Sequence, residues 1–445
     1  VSDSSIFRRA VLLSSVTSFL VPLVGLMTAP ILAHALGVEG RGEMAAAVAP
    51  YSLIVAVATL GLPQALTFYL AKNPELTRRV LLSTTAVTLT LGAGCLAAMA
   101  WLVTPLSGGN SELAMLIMLA SACALPALVV NLMRGAAAGR QMWGSVASEG
   151  VLNSSLRLIG LGGLALAGLL DVRLAVLVTV VGPAIAGIAY WKLLRRPTEA
   201  APSDAVPMSR PNRVLLGYGA RTWLGSVASM LTARLSQLLV TPLSDVGQLG
   251  LFVVAVTIAD VPFLVTAGIR DAVFGVSSQT ADPQRLAATS RVVTLAGLLG
   301  AGAIAATLPF WIRTVFGEEF GAAIPAALIL LAAAVANMPG LIAGVGLGAW
   351  GRPGLRSWVL VATLVTNLIA LLTLVPVAGA VGAALAGLLS GTVMSVLAVA
   401  LTARVVGVPV HAFVFPRTAD LRLLVAEVRR ALGKLRRRRT TRSHS

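Results

Sequence analysis

Residues 213–262 read Arg213-Val-Leu-Leu-Gly-Tyr-Gly-Ala-Arg221-Thr-Trp-Leu-Gly-Ser-Val-Ala-Ser229-Met-Leu-Thr-Ala-Arg234-Leu-Ser-Gln237-Leu-Leu-Val-Thr-Pro-Leu-Ser-Asp245-Val-Gly247, then Gln248-Leu-Gly-Leu-Phe-Val-Val-Ala-Val-Thr-Ile-Ala-Asp260-Val-Pro262. Two apolar runs of this length, joined by a short polar turn, predict a pair of membrane-spanning helices. Arg221, Arg234 and Asp260 fall inside them. A charge near the bilayer centre costs about 2.5 to 3.5 kcal/mol on insertion scales, so such a residue is expected to face a cavity or a partner. Two readings are open. The charges line a functional cavity, or Arg234 and Asp260 form an ion pair that only ties two helices together.

The rest of the chain is of the same kind. Of 445 residues 57% are hydrophobic and 11% charged, with 43 glycines, which no water-soluble domain sustains over its whole length. The formal net charge of +17 does not point to nucleic acid, because the basic residues fall in short connections and at one end. Cys95 and Cys123 sit in apolar segments and suit small buried hydrophobes better than a disulfide or metal site. Arg8 and Arg9 precede an apolar run that ends in Ala33-His-Ala35, as a signal peptide would, but the run over 10–36 is too long and is read as a first span.

Hydropathy predicts twelve spans, at about 10–36, 43–71, 79–104, 112–139, 146–170, 173–195, 214–243, 250–278, 287–312, 320–349, 355–376 and 379–404. With the N-terminus inside, the cytoplasmic connections carry sixteen Lys and Arg even without the C-terminal segment. The outer ones carry three: Arg41, Arg173 and Arg313. That asymmetry places both termini in the cytoplasm.

The proline-rich stretch 196–213 divides the helices six and six. This gives an N-terminal lobe over 1–195, a cytoplasmic linker over 196–213, a C-terminal lobe over 214–405 and a tail over 406–445. Leu36-x-x-x-Gly40 recurs as Leu243-x-x-x-Gly247, Gly139-Arg140 as Gly351-Arg352, and Asn131 as Asn337, at offsets of 207, 212 and 206 residues. Six helices per half return the chain to the same side, so the halves are expected to be parallel repeats that can rock about a central site. In the tail, Leu421, Leu424, Val425, Val428, Leu432 and Leu435 keep helical spacing among Arg422, Arg429, Arg430, Lys434 and the arginine run 436–439. This pattern suits either a helix lying on anionic membrane lipids or a solvated topology anchor.

Enzyme signatures fail in context. Gly346-Leu-Gly-Ala-Trp-Gly351 matches a dinucleotide fingerprint but closes a span with no βαβ unit around it, and no Walker A sequence occurs. His34, His411 and His444 are scattered, so neither a metal, a cofactor nor a catalytic residue is expected. What remains is transport. On the fifth span Asn153, Ser154, Arg157 and Gly160 share one face. On the seventh, Arg221, Thr222, Gly225, Ser226, Ser229, Thr232, Ser236 and Gln237 form a polar arc opposite Leu224, Val227, Leu231 and Leu235, with Arg234 about 60° beyond Gln237. The candidate binding residues are Arg221, Arg234, Arg157, Asp260, Gln237, Ser229 and Asn153.

Four stretches carry a family resemblance: Arg8-Arg9 before a Ser/Leu-rich first helix, Leu36-Gly-Val-Glu-Gly-Arg-Gly42, Gly139-Arg-Gln-Met-Trp143, and Ala378-Gly-Ala-Val-Gly-Ala-Ala384. Together they resemble the polysaccharide-flippase branch of the multidrug/oligosaccharidyl-lipid/polysaccharide (MOP) exporter superfamily, over about residues 6–405. The resemblance implies an all-α integral membrane protein of twelve helices in two six-helix lobes around a V-shaped cavity, lined chiefly by helices 1, 2, 7 and 8. It also implies translocation of a polyprenyl-pyrophosphate-linked oligosaccharide from the cytoplasmic to the outer leaflet of the cell membrane. Arg157, on helix 5, is not on that lining. Expected partners are the lipid-linked glycan and membrane lipids, with glycan polymerase and assembly proteins as further candidates and nucleic acid excluded.

The chemistry suits such a cargo, since guanidinium groups grip pyrophosphate and hydroxyl or amide side chains suit a glycan. Multidrug antiporters of the superfamily rely on acidic residues in the cavity, and none is expected within the spans of the first half. Lipid II flippases add two further helices. Alternatives are a multidrug or small-solute secondary transporter and a membrane scaffold for glycan assembly. A major-facilitator transporter is disfavoured because the loop after the second span, Lys72-Asn-Pro-Glu-Leu-Thr-Arg-Arg79, lacks that group's acidic, glycine-rich signature.

Overall fold

The computed structural model describes residues 2–72, 77–195, 211–264 and 282–415. The expected linker, the region of Arg270 and Asp271, and the basic amphipathic segment lie outside those residues. Among the described residues the chain is helical and has no strands. In order the helices are α1 (Ser2–Ala58), α2 (Leu62–Lys72), α3 (Thr77–Leu106), α4 (Ser111–Ala122), α5 (Ala124–Gly139), α6 (Trp143–Leu166), α7 (Val172–Ala186) and α8 (Trp191–Arg195). There follow α9 (Pro211–Leu243), α10 (Val246–Ala259), α11 (Pro283–Phe316), α12 (Ile324–Ala349), α13 (Pro353–Val406) and the short α14 (His411–Val414).

Eight helical stretches among the described residues are long and apolar enough to cross a membrane, which makes this a multi-pass membrane protein. Two of them, 20–58 and 354–406, each take in two of the spans expected from hydropathy. The helix does not stop between those spans but breaks at a glycine: Gly37 in α1 (φ 66°, ψ −171°) and Gly379 in α13 (φ 51°, ψ −123°). A positive φ is open to glycine without a Cβ clash, so a sharp bend replaces a loop. The expected fifth and seventh spans are also helices, α6 and α9, and stand outside the eight.

Two compact units make up the chain. The first holds residues 1–257, 310–324 and 371–383. In it α1 packs on α4, α6 and α9, and α2 packs on α5. The α2–α5 contact is close because Gly135 and Gly139 lie against the backbone of Pro63 and Thr67, and Thr67 Oγ1 donates to the Gly135 carbonyl at 3.0 Å. Leu62, Leu66, Leu132 and Tyr190 fill the core beside it. α1 and α10 cross reciprocally: a Cβ on Gly42 would overlap the Val246 carbonyl, and a Cβ on Gly250 would overlap the Val38 carbonyl. Val38-x-x-x-Gly42 and Val246-x-x-x-Gly250 are the same pattern 208 residues apart. At the α13 break, Gln248 Oε1 accepts the Ala380 N–H at 2.9 Å, which satisfies a backbone donor that the bend takes out of the helical ladder.

The second unit holds residues 258–309, 325–370 and 384–445. Its helices are joined by buried polar contacts of the kind membrane helices use where apolar contact alone gives little specificity. One residue beyond Pro339, the Gly340 N–H donates to Ser395 Oγ at 2.8 Å. Thr402 Oγ1 donates to the Ala343 carbonyl at 2.9 Å, and Asn367 Nδ2 to Ser390 Oγ at 3.2 Å.

Candidate functional site

The Gly37 bend turns α1 so that Arg41, one turn further on, points into the first unit with only 6% of its surface exposed. Gly40 and Gly42 flank it. Gly40 packs on the start of α7 at Val172 and Gly42 packs on α10, so the backbone on both sides of Arg41 is enclosed. The contact nearest to a hydrogen bond for Arg41 is Nη1 to Met44 Sδ, at 3.9 Å, a weak acceptor. Its Nε is buried without an acceptor.

Arg157 on α6 is in the same position chemically: its Nε is also buried without an acceptor. Arg41 lies within electrostatic reach of Arg157, and Arg157 within reach of Arg234 on α9. Arg234 donates from Nη1 to Gln237 Oε1 at 2.9 Å. Three cations from three helices of one unit therefore converge, and neither Arg41 nor Arg157 has an acidic partner among the described residues. Buried hydroxyls with no partner add acceptor and donor capacity on the same helices, Ser154 on α6 and Thr241 on α9. Guanidinium groups that repel one another and lack acceptors are costly to bury, and an anion with several oxygens would relieve both penalties.

Of the residues singled out from sequence, the structure brings Arg157, Arg234 and Gln237 together. Asn153 is half-buried and lies against Gly182 of α7. Ser229 on α9 is exposed. Asp260 is exposed too, just beyond α10 and in the second unit. Arg221 is on α9, with its side chain outside the described residues. Arg41, read from sequence as one of the three outer-loop cations, is the residue that was missed. The signal was present in Gly40-Arg41-Gly42, since glycines on both sides of a charge permit the backbone contacts that bury it.

A second arginine site stands at the ends of α5 and α6. Arg134 forms a two-pronged bridge to Glu149, Nε to Oε2 at 3.0 Å and Nη2 to Oε1 at 2.8 Å, and the Tyr190 hydroxyl donates to Oε2 at 3.4 Å. Glu149 is 1% exposed. No acidic residue was expected within the spans of the first half, and Glu149, inside the span read at 146–170, corrects that. It is consumed by its partners, however, and does not reach the arginine cluster as a counter-ion.

A family model described as polysaccharide biosynthesis protein matches residues 7–281, well over half of the chain. The chain belongs to the polysaccharide biosynthesis protein family. No curated protein matches it by sequence. Among solved structures it is similar to the lipid II flippase MurJ in an inward closed conformation, with TM-score 0.72 and 12% identity over 91% of this chain and 89% of that one. It is also similar to an inward-facing multidrug-resistance MATE transporter of the MOP superfamily (TM-score 0.65, 14% identity, 87% and 98% of the two chains). A third is a MOP superfamily transporter from Pyrococcus furiosus (TM-score 0.61, 14% identity, 89% and 95%). At such identities the likeness establishes the fold, and this polysaccharide-biosynthesis chain has the MOP transporter fold.

Proposed function

We propose that this protein moves a polyprenyl-pyrophosphate-linked oligosaccharide from the cytoplasmic to the outer leaflet of the cell membrane by alternating access. In this reading twelve crossings form two lobes and both termini are cytoplasmic. The observation that carries it is the electrostatic proximity of Arg41 to Arg157 and of Arg157 to Arg234, with the Nε of Arg41 and of Arg157 buried and without an acceptor among the described residues. A pyrophosphate supplies the oxygens those donors lack, in the geometry a guanidinium fork suits, while the lipid chain stays in the bilayer. Arg221 stands thirteen residues before Arg234 on α9, about 20 Å toward the end taken as cytoplasmic, and serves as a first station for the incoming headgroup. The reciprocal crossing of α1 and α10 beside Arg41 supports a closed outer end, which has to part for release.

The family's link to polysaccharide biosynthesis supports a glycan cargo. The same cluster argues against the multidrug alternative where the drug is cationic, since like charges there would repel it. In proteoliposomes, wild-type protein is expected to move labelled lipid-linked oligosaccharide across the bilayer, and Arg157→Gln to slow it at least about tenfold, a barrier change of ~1.4 kcal/mol. No translocation by wild-type protein would support the scaffold alternative, and equal rates for both proteins would remove the cluster from the mechanism.

A further inference from the structure

The residues that follow α13 are built into the second unit. Gly407 ends that helix in the left-handed conformation (φ 73°), and the chain turns back so that Ala412 and Phe413 enter the core. Phe413 is fully buried among Leu286, Ala287, Met338, Ile342 and Val399. Two neighbouring residues of α11 fix the turn from the other side: Ser290 Oγ donates to the Phe413 carbonyl at 3.0 Å, and Arg291 Nη1 donates to the Ala412 carbonyl. Ser290 and Arg291 are themselves buried, so the carbonyls at the end of a one-turn helix are held by donors that cannot exchange readily with water.

The opposite face of the same turn is left uncovered. Val410, Val414 and Phe415 are 49%, 40% and 68% exposed. Exposed arginines adjoin the Phe413 cluster in sequence. Arg285 and Arg404 are exposed and each adjoins a member of the Phe413 cluster, Leu286 and Ala403; Arg352 is exposed two residues from Trp350, which packs on that cluster. Arg285 also contacts Asp282, at 3.2 Å, and keeps more than half of its side chain exposed. Exposed apolar side chains and exposed arginines that share one buried cluster match a membrane interface, where the former enter the acyl boundary and the latter meet phosphate.

We propose that residues 407–415, with Arg285, Arg352 and Arg404, form a docking surface for anionic phospholipid headgroups. Val410, Val414 and Phe415 seat beneath the phosphate level. The turn differs from an ordinary positively charged loop because Ser290, Arg291 and the Phe413 core fix its orientation. Lipid bound there therefore acts on α11 and α13 directly. The basic segment that follows continues the charge. The proposal is independent of the cargo, and it stands or falls apart from the flippase reading.

The test uses the full chain in nanodiscs of phosphatidylcholine alone or mixed with phosphatidylglycerol, reading the thermal unfolding midpoint and the phosphatidylglycerol retained in native mass spectrometry. Phosphatidylglycerol is expected to raise the wild-type midpoint. At least half of that rise, and at least one retained lipid, should be lost in R285Q/R352Q/R404Q and in V410S/V414S/F415S. The second variant keeps every charge, so it separates docking from general attraction of the basic tail. Full retention of the rise in either variant would overturn the proposal. So would inorganic pyrophosphate, in phosphatidylcholine alone, reproducing a rise that R285Q/R352Q/R404Q abolishes, since the surface would then serve a free anion.

Discussion

Arg134 and Arg157 belong to the same unit and to helices that follow one another, yet their surroundings are opposite. Arg134 meets a buried carboxylate through two short bonds, and Tyr190 completes the carboxylate's shell. Arg157 lies within electrostatic reach of two other arginines, Arg41 and Arg234, and leaves its Nε without an acceptor among the described residues. A pair of the first kind is self-sufficient and ties helix ends together. A cluster of the second kind is incomplete as protein alone, and its cost makes sense when an anion enters during the working cycle. On the proposed function, the difference separates an arginine that maintains the fold from one that waits for cargo.

The largest effect is expected where the pair is broken. Glu149→Gln or Arg134→Gln removes one partner of a bridge whose carboxylate is fully enclosed, so unfolding stability should fall by about 3 kcal/mol, with a lower yield of folded protein. Retention of wild-type stability by Glu149→Gln would erase the distinction between the two sites. Next come Arg41→Gln and Arg157→Gln. Each should reduce flipping at least about tenfold, a barrier change of ~1.4 kcal/mol, while leaving thermal stability equal to wild type or higher, because an uncompensated charge has been removed. A loss of stability matching that of Glu149→Gln would make these arginines structural as well.

A smaller effect is expected at the crossing beside Arg41. Gly42→Ala places a methyl group against the Val246 carbonyl, so α1 and α10 must separate there. Flipping should slow about fivefold, roughly 1 kcal/mol, and a cysteine introduced at Val38 should label faster from the outside. Unchanged labelling would mean that the crossing is not part of a moving closure. The smallest change is expected for Arg157→Lys, which keeps the charge but loses the planar fork, and should retain more transport than Arg157→Gln while remaining below wild type.

The membrane class and the position of most helices were legible because apolar run length is a one-dimensional property of the chain. The boundaries at 37 and 379 were not. Hydropathy anticipates a loop between spans, whereas Gly37 and Gly379 let the chain bend sharply with no loop between the two helical stretches. Arg157 and Arg234 could be singled out because a charge inside a span is conspicuous wherever it faces. Arg41 could not, since a charge near a span's end is ordinarily solvated, and only the packing of Gly40 on α7 and Gly42 on α10 shows that this one is enclosed. Glu149 was equally conspicuous, a carboxylate inside the expected span 146–170, and was passed over. What the sequence does not announce is its partners, Arg134 fifteen residues away on another helix and Tyr190 forty-one away. The repeat between the halves was visible in part: Leu36-x-x-x-Gly40 and Leu243-x-x-x-Gly247 caught the neighbourhood, while the residues in contact are Val38-x-x-x-Gly42 and Val246-x-x-x-Gly250.

The contrast between the two arginine sites reduces to whether an anion fills the second one. Thermal unfolding of the purified full-length chain, titrated with inorganic pyrophosphate, measures this directly. Ligand that binds only the folded state stabilises it by about 2.7 kcal/mol at a hundredfold excess over its dissociation constant. Wild-type protein and Arg157→Lys are expected to gain stability as pyrophosphate is added, and Arg41→Gln and Arg157→Gln to gain little or none. Equal stabilisation of all four proteins would show that Arg41 and Arg157 do not bind the anion, and the cationic-cluster mechanism would be wrong.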